Sequence, residues 1–156
     1  MQILFLNHKI ISCGVYQYGL RLYNILKKST LYNYLYIEID CYDEYIDIIN
    51  KLNPNIIIYN YHYSTMSWLN NNNIIKKIKN IGIPHESNFD FFDFILSINP
   101  NENENNNIFN IPRPIYENID EIINSYNILN NEIQKFIEYN EGLDIPIFGS
   151  FEIGRA

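Results

Sequence analysis

The side chains able to do chemistry fall in three short segments of this chain. The first is His85-Glu86. An imidazole here could take a proton from a hydroxyl and serve as a general base, which makes His85 the candidate catalytic residue. Neighbouring side chains on an extended strand point opposite ways, so Glu86 need not orient His85; an ordinary loop histidine is the competing reading. The second segment runs Asn60-Tyr61-His62-Tyr63-Ser64-Thr65-Met66-Ser67-Trp68. Its amide, imidazole and hydroxyl groups, together with the single tryptophan, suit a saccharide, whose hydroxyls need directional partners and whose apolar face stacks on rings. Asn60, His62, Thr65 and Trp68 are the candidate contacts; the alternative is that Trp68 anchors the following segment in the core and His62 lies on the surface. The third segment is Asn7 to Gly19, where Gly14 at a helix start could bring free N–H groups and the positive dipole end close to an anion. The simpler reading is that Gly14 makes the turn and Gly19 lets helix and sheet approach. The loop is neither G-x-G-x-x-G nor a Walker loop.

Other chemistries lack their patterns. His8, His62, His85, Cys13 and Cys41 contain no C-x-x-C or H-x-x-x-H spacing, so no metal centre is expected. There is no G-x-S-x-G elbow. Lys76, Lys77 and Lys79 read as a solvated face rather than a membrane contact. The net charge of −7 and pI near 4.8 disfavour a nucleic-acid partner, because the chain would repel a phosphate backbone. No apolar run reaches the roughly 18 residues of a membrane span, and Met1–Leu6 lacks the basic flank of a secretory signal. Two cysteines make no disulfide framework, so a reduced, cytoplasmic setting is the plain reading.

These segments must be positioned by regular elements, and the hydrophobic pattern supplies them. Gln2–Leu6 is an unbroken apolar run, as in a strand covered on both faces. Residues 14–28 place Val15, Tyr18, Leu22, Ile25 and Leu26 on one helical face. Tyr34–Ile39 is the next strand. Asp40 is expected to cap a helix with Asp43 and Glu44 in its first turn, Tyr45, Ile48, Ile49 and Leu52 inward, and Pro54 as its stop. Asn55–Tyr59 reads as a buried strand, 72–80 as a helix with Ile74, Ile75 and Ile78 inside, and Ile81–Pro84, Phe92–Ile98 and Ile108–Ile111 as further strands. Strand-helix alternation with short connections predicts an α/β fold with a doubly wound, mostly parallel Rossmann-like sheet and helices on both faces. Ligands of such sheets bind beyond the carboxyl ends of the strands, where all three segments lie. Residues 118–139 carry helical spacing, and Ile145–Gly149 reads as one more strand. The expected division is a domain at 1–115, a helical insert or linker at 116–142, and the first strand and turn of a second domain, cut off, at 143–156.

The order of these pieces is similar to the N-terminal half of a family 4-like glycosyltransferase. The matching residues are Met1–Leu6, Cys13-Gly14-Val15-Tyr16-Gln17-Tyr18-Gly19-Leu20-Arg21-Leu22, Asn53 to His62, His85-Glu86, and Ile147-Phe148-Gly149-Ser150-Phe151. Such enzymes have GT-B architecture, two Rossmann-like domains around a cleft. The resemblance implies transfer of a sugar from a nucleotide-sugar donor to a carbohydrate or other hydroxyl acceptor, without an obligatory metal or other cofactor. It implies that residues 1–115 form the acceptor-side domain. Gly14 and Val15, with Gly149 and Ser150, would line the donor side, and His85 would lie near the transferred sugar. Many relatives carry two glycines where this chain has Cys13-Gly14. The basic residue and carboxylates that would hold diphosphate and ribose have no counterpart in these residues, so the chain alone is expected to bind donor weakly and turn over little, a second polypeptide being one way to complete it. The alternative function is a non-catalytic α/β binding or interaction module. A small-ligand oxidoreductase is disfavoured by the missing G-x-G-x-x-G.

Overall fold

The computed structural model describes residues 1–86, 90–98, 107–111 and 131. Its elements in chain order are β1 (Gln2–Asn7), α1 (Gly14–Leu26), β2 (Asn33–Glu38), α2 (Tyr42–Leu52), β3 (Ile56–Tyr61), β4 (Lys79–Pro84), β5 (Phe94–Ser97) and β6 (Ile108–Asn110). The strands form one six-stranded sheet in the order β2-β1-β3-β4-β5-β6, and every neighbouring pair is parallel. This is the expected α/β, Rossmann-like sheet.

The two central strands are buried on both faces, which is why they read as unbroken apolar runs. Successive residues point to opposite faces. Ile3, Phe5, Ile56, Ile58, Ile81 and Ile83 therefore join one core with Leu22, Ile25 and Leu26 of α1. Leu4, Leu6, Ile57 and Tyr59 join the other with Tyr45 and Ile49 of α2. Helices thus cover both faces. Each fully buried side chain of this kind contributes about 1.5–3 kcal/mol relative to exposure.

Three local expectations are corrected. The cap of α2 is Cys41 rather than Asp40; Cys41 makes no side-chain capping bond, while Glu44 Oε2 accepts the backbone N–H of Asp40 at 3.0 Å. The helix ends as expected, with Asn53 in the left-handed region (φ 45°) immediately before the buried Pro54. Residues 72–80 form no helix: turns occupy 71–78, and β4 begins at Lys79. Short polar side chains compete here with backbone pairing. Asn73 Oδ1 accepts the Asn70 N–H at 2.7 Å, Asn70 Oδ1 accepts the Asn72 N–H at 2.8 Å, and Asn73 Nδ2 donates to the Trp68 carbonyl. Tertiary contacts finish the job. The N–H of Ile75 donates to Tyr45 Oη at 3.1 Å, and its carbonyl accepts Asn80 Nδ2 at 3.0 Å, so neither is available to a helix. Ile74 and Ile78 are nevertheless buried, as expected, against the α2 face. Third, α1 ends at Leu26, and Lys27 and Lys28 lie just beyond it.

The expected helix over 118–139 and strand at 145–149, with Gly149 and Ser150, lie outside the described residues.

Candidate functional site

The strand order reverses between β1 and β3: the chain leaves β1 toward β2 on one side and returns through β3 toward β4 on the other. That switch point is where an open parallel sheet leaves a crevice beyond its carboxyl ends. In register, Leu6 of β1 faces Tyr59 of β3, so the next residue on each strand is an asparagine, Asn7 and Asn60. Both are fully buried.

Their hydrogen bonds fix both amides. Asn60 Nδ2 donates to Asn7 Oδ1 at 2.9 Å and to the Val15 carbonyl, in the first turn of α1, at 2.7 Å. Asn7 Nδ2 donates to the Tyr16 carbonyl at 3.1 Å and to Tyr36 Oη at 3.0 Å, and Asn7 Oδ1 also accepts the His8 N–H at 3.0 Å. Only carbonyl oxygens face each Nδ2 within this pair and α1, so the amide orientations follow from the network. Asn60 Oδ1 then meets His85 Nε2 at 2.6 Å. An amide oxygen only accepts, so the His85 proton sits on Nε2. The His85 ring also stands edge-on to Tyr18 of α1, with centroids 4.8 Å apart at 84°. One asparagine therefore ties the imidazole after β4 to the start of α1. Gly19, one helical turn further along, makes room for it: a Cβ there would overlap the Asn60 amide.

A second cluster lies beside the first. Glu86 does not orient His85 but turns to the loop after β3; both residues lie in the bend that follows β4. Its Oε1 lies 3.2 Å from His62 Nε2 and accepts the Tyr63 N–H at 2.9 Å. His62 Nδ1 lies 2.6 Å from Ser64 Oγ and accepts the Ser64 N–H at 3.2 Å. Thr65 Oγ1 donates back to the His62 carbonyl at 3.1 Å. Trp68 packs against Tyr45, with centroids 5.3 Å apart and the rings tilted by 44°, in the layer beneath α2, and its Nε1 is buried without a partner among the described residues.

On the other side of Asn7, Glu38 ends β2 and accepts the hydroxyls of Tyr16 at 2.5 Å and Tyr36 at 2.9 Å. The carboxylate raises the Tyr16 pKa above its ordinary value, and burial pushes Tyr36 up strongly. His8 is almost wholly buried, edge-on to Tyr16 with centroids 5.8 Å apart. Its Nδ1 accepts the Ile10 N–H at 3.1 Å, so in the neutral ring Nε2 carries the proton, and that donor has no partner among the described residues. Burial lowers the His8 pKa, His62 lowers it further, and Glu38 opposes both. At the start of α1, the cap residue Cys13 makes no side-chain capping bond, the first turn holds no acidic residue, and Gly14 has open space beside its Cα. With no acidic side chain of its own in the first turn, that end of the helix keeps its positive dipole end uncompensated by local charge.

Of the sequence-derived candidates, Val15, Asn60 and His85 are joined in one network, with Gly14 adjacent to Val15. His62 and Thr65 lie in the neighbouring loop. Trp68 is packed into the α2 layer. Sequence reasoning did not single out Asn7, Tyr18, Glu38 or Ser64. The signal available for Asn7 was the polar residue closing each of two central apolar runs, Leu-Phe-Leu-Asn and Ile-Ile-Tyr-Asn, at one register position. Among the described residues, one set of ligand-type side chains gathers within 4.8 Å, namely Asp40, Cys41 and Glu44. Lys9 Nζ sits 2.6 Å from Glu44 and 3.7 Å from Asp40 and already supplies positive charge there. Ile10, Ile11, Tyr42 and Tyr63, the exposed large apolar side chains of the described residues, all follow the carboxyl ends of β1, β2 or β3. No described helix is long and apolar enough to cross a membrane. No family model, curated protein or solved structure matches this chain.

Proposed function

We propose that the carboxyl edge of this sheet is the acceptor side of a glycosyltransferase, which moves a sugar from a nucleotide-sugar donor to an acceptor hydroxyl. The observation that carries the reading is the Asn60 bridge: one buried amide holds His85 and the first turn of α1 together across the switch point. In this reading the uncapped start of α1 at Gly14 and Val15 meets donor phosphate, His85 contacts the transferred sugar, and the His62–Thr65 loop receives the acceptor. Asn60 acts as a positioning residue, since its amide is buried and bonded within the protein. Exposed Tyr63, Ile10 and Ile11 offer apolar surface for a sugar face at the same edge.

The test is an amide chemical-shift titration of the chain with nucleotide-sugars and with free saccharides at millimolar concentration. Nucleotide-sugar should shift Gly14 and Val15, and saccharide should shift His62, Thr65 and His85. Shifts confined to other surfaces, or none, would reassign the domain. Calorimetry should show weak donor binding; micromolar affinity would contradict the expectation that this chain alone holds donor poorly. The alternative, a non-catalytic binding module, is favoured by the mutual satisfaction of Asn7 and Asn60, which leaves their polar atoms little to offer a reactant. His85→Ala separates the two. In an enzyme completed by its donor-binding side it should lower transfer by about 10²–10⁴-fold with saccharide binding retained, whereas a module so completed has no transfer to lose.

A further inference from the structure

The loop after β3 and the end of β4 bring together a serine, an imidazole and a carboxylate in hydrogen-bonding series. Ser64 Oγ lies 2.6 Å from His62 Nδ1, and His62 Nε2 lies 3.2 Å from Glu86 Oε1. The tautomer follows from the partners. The Glu86 carboxylate only accepts, so the His62 proton sits on Nε2 and Nδ1 is the lone-pair nitrogen. That nitrogen faces the Ser64 hydroxyl, the arrangement in which an imidazole takes a serine proton. Glu86 is itself held by the Tyr63 N–H, which donates at 2.9 Å to the same Oε1 that faces His62. Its place is set by the sheet: β3 and β4 pair in parallel with Tyr61 opposite Pro84, which carries Glu86 beside the His62–Ser64 loop although 22 residues separate Glu86 from Ser64. Ser64 is exposed, so its oxygen is reachable, and exposed Tyr63 stacks on the His62 ring with centroids 5.4 Å apart.

We propose that Ser64, His62 and Glu86 form a nucleophilic site that takes the acyl group of an activated, aromatic-leaving-group ester onto Ser64. Ser64 Oγ attacks the carbonyl carbon while its proton passes to His62 Nδ1. The C–O bond to the leaving group breaks, and the departing oxygen takes that proton from His62. Water then repeats the step on the seryl ester, releasing the carboxylic acid and restoring Ser64. The restriction to activated esters follows from the loop's own bonds. The N–H groups of Thr65 and Met66 both donate to the His62 carbonyl, and those of Tyr63 and Ser64 to Glu86 and His62, so these amides offer no pair to a developing oxyanion. Tyr63 supplies a flat surface for an aryl leaving group. The inference stands apart from sugar transfer and needs no nucleotide-sugar.

The experiment mixes the full chain with 4-nitrophenyl acetate and follows 4-nitrophenolate release with peptide mass mapping. The expected result is a burst equal to one acetyl per chain, located on Ser64. Ser64→Ala should abolish the burst, and His62→Gln should slow it about 100-fold or more. Glu86→Gln, which removes the orienting charge but keeps a carbonyl for Tyr63, should lower the acylation rate at saturating ester and leave the half-saturating concentration unchanged. Ser64 is a surface residue, and thermal unfolding of each variant confirms that it is folded. Acetyl found only on lysines in the native chain, or an undiminished burst from Ser64→Ala, would overturn the proposal. The saccharide titration reads out separately, so either reading can fail while the other stands.

Discussion

Asn60 is the polar side chain that joins β1, α1 and the residue after β4 at the site. Its Nδ2 serves two carbonyl oxygens and its Oδ1 one imidazole, all at a fully buried position. Asn60→Ala leaves those partners unsatisfied and should cost about 3 kcal/mol in urea unfolding. Asn60→Asp should cost more at neutral pH, because a carboxylate would face the Asn7 and Val15 oxygens with no proton to give. His8 makes a different prediction. Its pKa lies below the ordinary 6.5, chiefly through burial, so the folded chain favours the neutral ring. Stability contributed in this way is complete above 6.5 and is lost as pH falls through the folded value. The urea midpoint of the native chain should therefore drop more between about pH 7.5 and about pH 5 than that of His8→Phe. An equal drop in both would mean that other groups control acid unfolding.

At the scale of elements, α1 approaches the switch point as closely as Gly19 permits. Gly19→Ala would drive a Cβ into the amides of Asn60 and Asn7. The cost should be about 1–3 kcal/mol, and the His85 ring resonances should move with it, because His85 is held through Asn60. A variant that loses stability while the His85 resonances stay in place would uncouple the helix from the site. The start of α2 offers the opposite opportunity. Cys41 has the extended backbone of a cap and makes no capping bond. Cys41→Ser should raise stability by about 0.5–1 kcal/mol, read from the same unfolding curves. The segment 70–78 shows where helical spacing misleads. Ile74, Ile75 and Ile78 recur at helical intervals, yet the preceding asparagines close turns on themselves and Tyr45 captures the Ile75 N–H. The period reported correctly which residues face inward and not which backbone they adopt.

For the molecule as a whole, the sheet order sets the gradient of local stability. β1, β3 and β4 are flanked by strands on both sides and buried on both faces, whereas β2 and β6 are the edges among the described residues. Hydrogen exchange should protect Phe5, Ile58 and Ile81 most, with amides of β2 and β6 opening at lower free energy. Protection as high in β6 as in β3 would argue against the edge assignment. Among the described residues the exposed large apolar side chains all follow carboxyl ends of strands, the same edge that holds both polar clusters, so a ligand and its apolar contacts have one place to meet.

The chain's own pattern determined the six described strands and the helices α1 and α2, because apolar runs mark buried strands and a helix's side chains repeat every 3.6 residues whatever lies elsewhere. It also placed His85, Asn60 and Gly14 at element ends, since those positions are local. Only the folded arrangement decided who meets whom. That Asn60 holds His85, that Glu86 turns from His85 to His62, and that Tyr45 halts a helix at Ile75 all depend on contacts between residues 24 or more positions apart in the chain. Such contacts follow from strand order and register, which are set by the burial of the whole sheet and by no single segment of it.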